Sequence, residues 1–185
     1  FFNIPGMESV TNRIRVIGNL PYYAGTAILL NIIQYRKTIR DVVVMLQKEV
    51  ANRIIAQPGT KDYGTLTLAV QLWCDVEWGF DVGPEAFSPP PKVFSTVLRL
   101  IPNEQPRVPI HNPEFFERLS RAAFAQRRKT LFNNLQAHFG KEMKDRILDI
   151  LTAVGIKPSR RAETLSLIEF AKLSDALSDN NPRSL

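Results

Sequence analysis

Cysteine occurs once in these 185 residues and histidine twice. Cys74 has no second cysteine to close a disulfide with, which fits a reducing compartment. In Leu72-Trp73-Cys74 it reads as a small buried hydrophobe. His111 and His138 stand apart from Cys74 and from acidic clusters, which argues against a zinc site. No apolar run reaches the roughly 20 residues of a membrane helix. The opening residues show no basic segment leading into an apolar stretch, so no signal peptide is read there, and the cytoplasm is the expected location. A glycine-rich run of the G-x-G-x-x-G kind is also missing, as is an acidic residue closing an early strand.

Hydrophobic residues make up 44% of the chain and charged residues 23%, ordinary values for a globular protein. The net charge is +6. Up to Ile101 there are 10 basic and 8 acidic residues, an excess of +2; from Pro102 onward there are 14 and 10, an excess of +4. A polyanionic partner is compatible with this, and so is a merely basic soluble protein.

The pattern changes at the same boundary. Arg13 to Ile17 reads as a buried parallel strand. Thr26 opens a helix through about Tyr35, with Ile28, Leu29, Ile32 and Ile33 as its apolar stripe. Asp41 to Leu46 is a near-continuous apolar run, as in buried parallel strands. Lys48 to Ala56 is helical and stops at Pro58-Gly59. Tyr63 to Trp73 is ambiguous by periodicity and is read as a helix with Leu66, Val70 and Trp73 on one face. Val76 to Val82 and Val93 to Leu100 are strands joined by a proline-rich loop. The order β-α-β-α-α-β-β is that of the second half of a Rossmann-like sheet with an antiparallel last strand. After Pro102 the pattern is helical. Asn112-Pro113 supplies an N-cap and a first-turn proline. Gly140 and Gly155 suit helix ends. Ser166-x-x-Glu169 is a capping box opening a helix through Leu177. The expected fold class is α/β, residues 1–102, followed by a small all-α domain, residues 103–185, with the tail from Asn180 frayed.

Asn19-Leu20-Pro21-Tyr22 follows the apolar run Arg15-Val16-Ile17-Gly18, so it forms a loop at a strand's carboxyl end, where open α/β sheets bind ligands. It offers an amide, a backbone carbonyl, a stiff turn and an aromatic ring. These groups suit a planar base that carries an exocyclic amine. Phe87-Ser88-Pro89-Pro90-Pro91-Lys92 is a stiff extended loop. Phe87 could plug the core of a hairpin or face a ligand. Lys48 and Glu49 read as a surface ion pair or as a strand-end acid facing the site. Gln126-Arg127-Arg128-Lys129-Thr130 is the densest basic run. On a helix its three cations would spread over roughly 200° of arc, too far to pair with acids on one face. Arg160-Arg161 is a second cationic pair. Both read as phosphate-binding groups or as a solvated face on which Arg161 bridges Glu163.

Six stretches run in order from about residue 13 to about residue 178. They are Asn19-Leu20-Pro21-Tyr22, Met45-Leu46-Gln47-Lys48-Glu49-Val50, Lys61-Asp62-Tyr63-Gly64, Phe87-Ser88-Pro89-Pro90-Pro91-Lys92-Val93, Phe124-Ala125-Gln126-Arg127-Arg128-Lys129-Thr130 and Arg161-Ala162-Glu163. With them the chain resembles the ribosomal RNA adenine N6,N6-dimethyltransferases of the small-subunit, kasugamycin-resistance type. The resemblance implies S-adenosylmethionine as cofactor and two adjacent adenosines near the 3′ end of small-subunit (16S) rRNA as substrate, methylated on the assembling 30S subunit by a monomeric enzyme. It implies a catalytic loop of Asn19, Leu20, Pro21 and Tyr22, with Phe87 flanking the base opposite Tyr22; of Tyr22, the stacking face and not the hydroxyl is expected to matter. Asn19 would also touch the methionine part of the cofactor, and Lys92, Arg127, Arg128, Lys129, Arg160 and Arg161 would bind RNA.

The family's glycine-rich cofactor loop has no counterpart here. Phe1-Phe2-Asn3-Ile4-Pro5 looks like the tail of its Asp-Ala segment. The chain therefore reads as the C-terminal two-thirds of such an enzyme, inactive alone. A large-subunit rRNA resistance methyltransferase is the alternative within the family. A non-catalytic rRNA-binding assembly factor is the alternative outside it.

Overall fold

The computed structural model describes residues 13–178. The readings of residues 1–5 and of the tail from Asn180 lie outside them. The described chain divides into two compact units, residues 13–55 with 73–107, and residues 56–72 with 108–178.

The first unit is α/β. It holds β1 (Ile14–Asn19), α1 (Gly25–Gln34), β2 (Ile39–Gln47), α2 (Lys48–Ile55), β3 (Cys74–Val82) and β4 (Ser95–Pro102). The sheet order is β1-β2-β4-β3, with β1 parallel to β2 and β4, the last strand, antiparallel to both neighbours as expected. Val42 and Val44 of β2 face Leu100 and Leu98 of β4, and all four are buried. With Leu46, Leu29 and Ile33 they form the core, against which α2 packs. The first turn of α1 comes close to that core. A Cβ on Gly25 would meet the Leu46 side chain at 3.0 Å, so glycine suits this position. The helix starts there, after Ala24, earlier than a Thr26 cap would place it. Cys74 is buried, and burial pushes its thiol up to about 12.

Two strands depart from expectation. The apolar run predicts a buried β1, yet Ile17 is 74% exposed. Among the described residues β1 has β2 alone as a neighbour and lies at an edge. The run through β2 predicts burial on both faces, yet Val43 and Met45 are only half-buried. On that side Asp41 is buried and its carboxylate takes Arg15 from β1 at 2.6 and 2.7 Å and Arg99 from β4 at 2.9 and 3.1 Å. Those hydrogen bonds hold the carboxyl well below the usual carboxylate range, Arg15 contributing most. At the other edge the β3–β4 register shifts between Trp78 and Asp81. There Gly79 lies so near β4 that a Cβ would meet the Val97 carbonyl at 2.8 Å.

The second unit is helical: α3 (Thr65–Gln71), α4 (Pro113–Ala123), α5 (Leu131–Phe139), α6 (Lys144–Ala153) and α7 (Leu167–Ser178). Its caps are the expected ones. The Asn112 side chain accepts the Phe115 N–H at 2.9 Å, and Gly140 and Gly155 have φ of 101° and 75°. Glu169 accepts the Ser166 N–H at 2.8 Å while the Ser166 hydroxyl accepts the Glu169 N–H at 3.3 Å. Residues 56–72, which chain order assigns to the α/β part, pack with this unit. Buried Tyr63 tilts against Phe124 at 6.2 Å, Phe124 stacks on Phe170 at 5.8 Å, and the Gly59 N–H donates to the Glu163 carbonyl at 2.6 Å.

Buried Asn134 holds the turn between α4 and α5. Its side-chain amide donates to the Ala123 carbonyl at 2.7 Å and to the Gln126 carbonyl at 3.1 Å. Asn134→Ala strips both carbonyls of that donor. It should destabilise the protein by about 1–3 kcal/mol, read from denaturant midpoints at unchanged m-value.

Glu169 makes a second test. The Arg160 guanidinium, then the Ser166 N–H and hydroxyl, lower its carboxyl to about 2. A carboxyl depressed in the folded state stabilises above its unfolded pKa, and that contribution fades as pH falls toward the folded value. Melting temperature should therefore fall more steeply between about pH 4.5 and pH 2 in the parent than in Glu169→Gln. Parallel acid limbs would contradict this.

Candidate active site and nucleic-acid interface

The first candidate site lies at the end of the sheet where β1, β2 and β3 finish and β4 begins. The cross-strand register aligns Asn19 with Met45 and Met45 with Val97, and aligns Ser95 with both Gln47 and Val82. Asn19 is the last residue of β1 and is exposed. Leu20 turns inward: its side chain is buried and its N–H donates to the Met45 carbonyl at 3.1 Å. The Ala24 N–H closes the turn onto the Pro21 carbonyl at 3.1 Å. Among the described residues no hydrogen bond engages the Asn19 carboxamide or the Leu20 carbonyl. Two acceptors are thus left available at a strand's carboxyl end.

Tyr22 is half-buried, and its hydroxyl shares a 2.6 Å hydrogen bond with buried Ser95. The sequence reading uses only the ring, whereas the structure also gives the hydroxyl a partner. The loop between β3 and β4 begins with a short 3-10 turn, Pro84–Ala86, and continues through half-buried Phe87 and a cis Ser88–Pro89 bond to exposed Lys92. Its last residue, Phe94, is tied to α2 through its carbonyl, which accepts the Lys48 N–H at 2.9 Å. Lys48 does form an ion pair, with Asp81 at 2.5 Å, while Glu49 is exposed. The Thr96 hydroxyl donates to the other Asp81 oxygen at 2.7 Å. Lys48 first, then Thr96, keep the Asp81 carboxyl below its ordinary value. Asp81, Ser95 and Thr96 escape a reading of the sequence. Their signal is a Ser-Thr pair opening a mostly apolar strand.

The second site is cationic and belongs to the helical unit. Arg127, Arg128 and Lys129 are exposed, but they sit in the turn between α4 and α5 and not on a helix. The reason is local: Asn134 draws the chain out of α4 at Gln126, and Thr130 caps α5 by accepting the Asn133 N–H at 3.2 Å. Arg127 donates to the Thr60 carbonyl at 3.3 Å. The Leu131 N–H donates to the Arg160 carbonyl at 2.7 Å, so the chain after Lys129 runs beside Arg160-Arg161. The two cationic stretches are therefore neighbours.

Arg160 differs from the expectation. Its guanidinium pairs with Glu169 and also donates to the Thr164 carbonyl at 2.6 Å and the Thr164 hydroxyl at 3.2 Å. It is occupied in holding α7 and is not offered as a phosphate ligand. Arg161 is exposed, and among the described residues it forms no ion pair with Glu163. Also among the described residues, no cluster of His, Cys, Asp or Glu could hold a metal ion, and no helix is long and apolar enough to cross a membrane.

The family model described as "Ribosomal RNA adenine dimethylase" matches residues 2–173. A "Ribosomal RNA small subunit methyltransferase A" from Lysinibacillus sphaericus is 48% identical over 176 residues, 94% of this chain and 59% of that protein. The protein of the same name from Anoxybacillus flavithermus is 51% identical over 166 residues, 89% of this chain and 56% of that one. The chain thus spans somewhat over half the length of these relatives. Among solved structures, a dimethyladenosine transferase from Plasmodium falciparum superposes with a TM-score of 0.75 at 27% identity, over 93% of this chain and 70% of that one. The 23S rRNA methyltransferase ErmE superposes with a TM-score of 0.62 at 22% identity, over 92% and 67%, a likeness of fold alone. On the match from residue 2 to residue 173 and on these identities, the chain belongs to the ribosomal RNA adenine dimethylase family.

Proposed function

We propose that this chain carries the base-binding side of an S-adenosylmethionine-dependent enzyme that dimethylates N6 of two adjacent adenosines near the 3′ end of small-subunit rRNA. It would act as a cytoplasmic monomer on the assembling 30S subunit. The observation that carries this reading is the pair of unengaged acceptors, the Asn19 carboxamide and the Leu20 carbonyl, at the carboxyl end of β1.

Adenine N6 is a poor nucleophile because its lone pair is delocalised into the ring. Acceptors on its two hydrogens favour turning that lone pair out of the ring plane. They also stabilise the positive charge that grows on nitrogen. Asn19 and Leu20 supply one acceptor each. Pro21 holds the turn and keeps Leu20 extended. Tyr22 and Phe87 offer ring faces to an adenine drawn out of its stack, each worth about 1–3 kcal/mol. No strong base is needed, since the amine becomes acidic only as the new bond forms. Orientation then provides most of the rate gain.

When bound, the cofactor supplies a methyl group on a sulfonium. Of its site, this chain offers the exposed Asn19 carboxamide at the strand end, which fits the polar methionine part; the chain has no glycine-rich loop to hold the rest. Arg127, Arg128, Lys129, Arg161 and Lys92 are exposed and suited to phosphates.

In the full-length enzyme, Asn19→Ala should lower the single-turnover rate by about 10²–10³, like loss of one oriented polar group, with RNA affinity nearly intact. A variant keeping half its rate would refute the assignment. Replacing Arg127, Arg128 and Lys129 together by Ala should weaken RNA binding at low salt. The log–log salt slope should fall by about one unit for each phosphate that is no longer neutralised. An unchanged slope, or a collapse in melting temperature, would count against the phosphate role.

A further inference from the structure

The Tyr22 side chain is held at both ends. Its backbone lies in a turn closed by the Ala24-to-Pro21 hydrogen bond and pinned to β2 through the Leu20 N–H. Its far end, the hydroxyl, shares the 2.6 Å hydrogen bond with Ser95, a residue 73 positions away in the chain. A tyrosine ring swings about two torsions. The phenolic oxygen lies on the axis of the second torsion, so fixing the Cα and the oxygen sets the first torsion, and with it the place and direction of the ring, while the ring can still turn about its own axis.

Ser95 is a rigid anchor. It opens β4, aligns with Gln47 on one side and Val82 on the other, and has no exposed surface. Sites carried on strands are held more tightly than sites carried on loops. Among the described residues its hydroxyl has no partner but Tyr22. The next residue, Thr96, acts alike through Asp81, which pairs with Lys48. The first two residues of β4 thus tie both the loop after β1 and the end of β3 to the sheet.

We propose that Ser95 is a positioning residue for base capture, its hydroxyl setting where the Tyr22 ring stands to receive the extruded adenine. This rests on the reading of Tyr22 as a base-facing residue. Ser95 touches neither substrate nor cofactor and acts through Tyr22. Its removal should cost little stability, because the Tyr22 hydroxyl lies on a half-buried side chain that water can reach. The cost should fall on the rate, since a stacked base that sits askew presents N6 at the wrong angle.

The test uses the full-length enzyme with an RNA carrying 2-aminopurine beside the target adenosine, or at its position for the fluorescence arm. Ser95→Ala and Tyr22→Phe should each lower the single-turnover rate about tenfold, the scale of one hydrogen bond. The double variant should be no slower than either single one, because both remove the same bond. RNA affinity should stay within about twofold in both and melting temperature nearly constant in Ser95→Ala, which separates positioning from binding and from folding; Tyr22→Phe leaves the buried Ser95 hydroxyl without that partner and should lower the melting temperature modestly. The quenching of bound 2-aminopurine should be weaker in Ser95→Ala than in the parent. Tyr22→Phe keeps the test decisive if Ser95→Ala folds poorly. Parental rates in both single variants would overturn the proposal, as would additive losses or a loss in Ser95→Ala that tracks melting temperature. Tyr22→Ala reports on the underlying reading: a parental rate there would sink the base-facing role of Tyr22 itself, whatever Ser95 does.

Discussion

β4 enters the sheet between β2 and β3 and runs against both. Its first residues therefore arrive where the other three strands finish. Three polar ties around the candidate base site depend on that reversal. Ser95 meets Tyr22 there, Thr96 meets Asp81, and the carbonyl of Phe94 meets the backbone of Lys48. Had β4 run parallel, the same hydroxyls would sit at the far end of the sheet. Tyr22 and Asp81 would then lose those partners.

The sheet is held across its strands by charge as well as by apolar packing. Asp41 is buried and answered by Arg15 and Arg99 from the two flanking strands. A buried carboxylate with one partner removed is costly, whereas the intact set is close to neutral. The triad is thus better understood as fixing which strands lie beside β2, and in what register, than as a source of net stability. It stands on the same side of the sheet as half-buried Val43, the side that apolar residues cover less completely.

Much of this is legible in the sequence, and the pattern of success is physical. Helix caps are local: Asn112 and Ser166 reach N–H groups three residues on, and Gly140 and Gly155 take backbone angles that other residues avoid. The sequence of strands and helices, and the antiparallel last strand, follow from the alternation of apolar runs, though the insertion of β4 between β2 and β3 does not. What escapes is set by distance along the chain or by absence of periodicity. Arg160 looks like a free cation because its partner, Glu169, lies nine residues away beyond a turn. The Arg127–Lys129 run looks helical because exposed polar residues carry no periodic signal, and the buried amide that bends the chain comes later, at Asn134. The tie between Tyr22 and Ser95 joins residues that no local pattern relates.

β3 combines features that usually invite trouble. It lies at an edge of the sheet, and it exposes Trp78 and Phe80, the latter at 62%. An edge of that kind is a template on which a stray strand can add. The register shift beginning after Trp78, with Gly79 pressed against the Val97 carbonyl, breaks the even spacing of N–H and C=O groups along the strand. A visiting chain would find no continuous ladder to extend. Among the described residues, the local kink thus makes the edge that carries these two exposed rings a poor template for another strand.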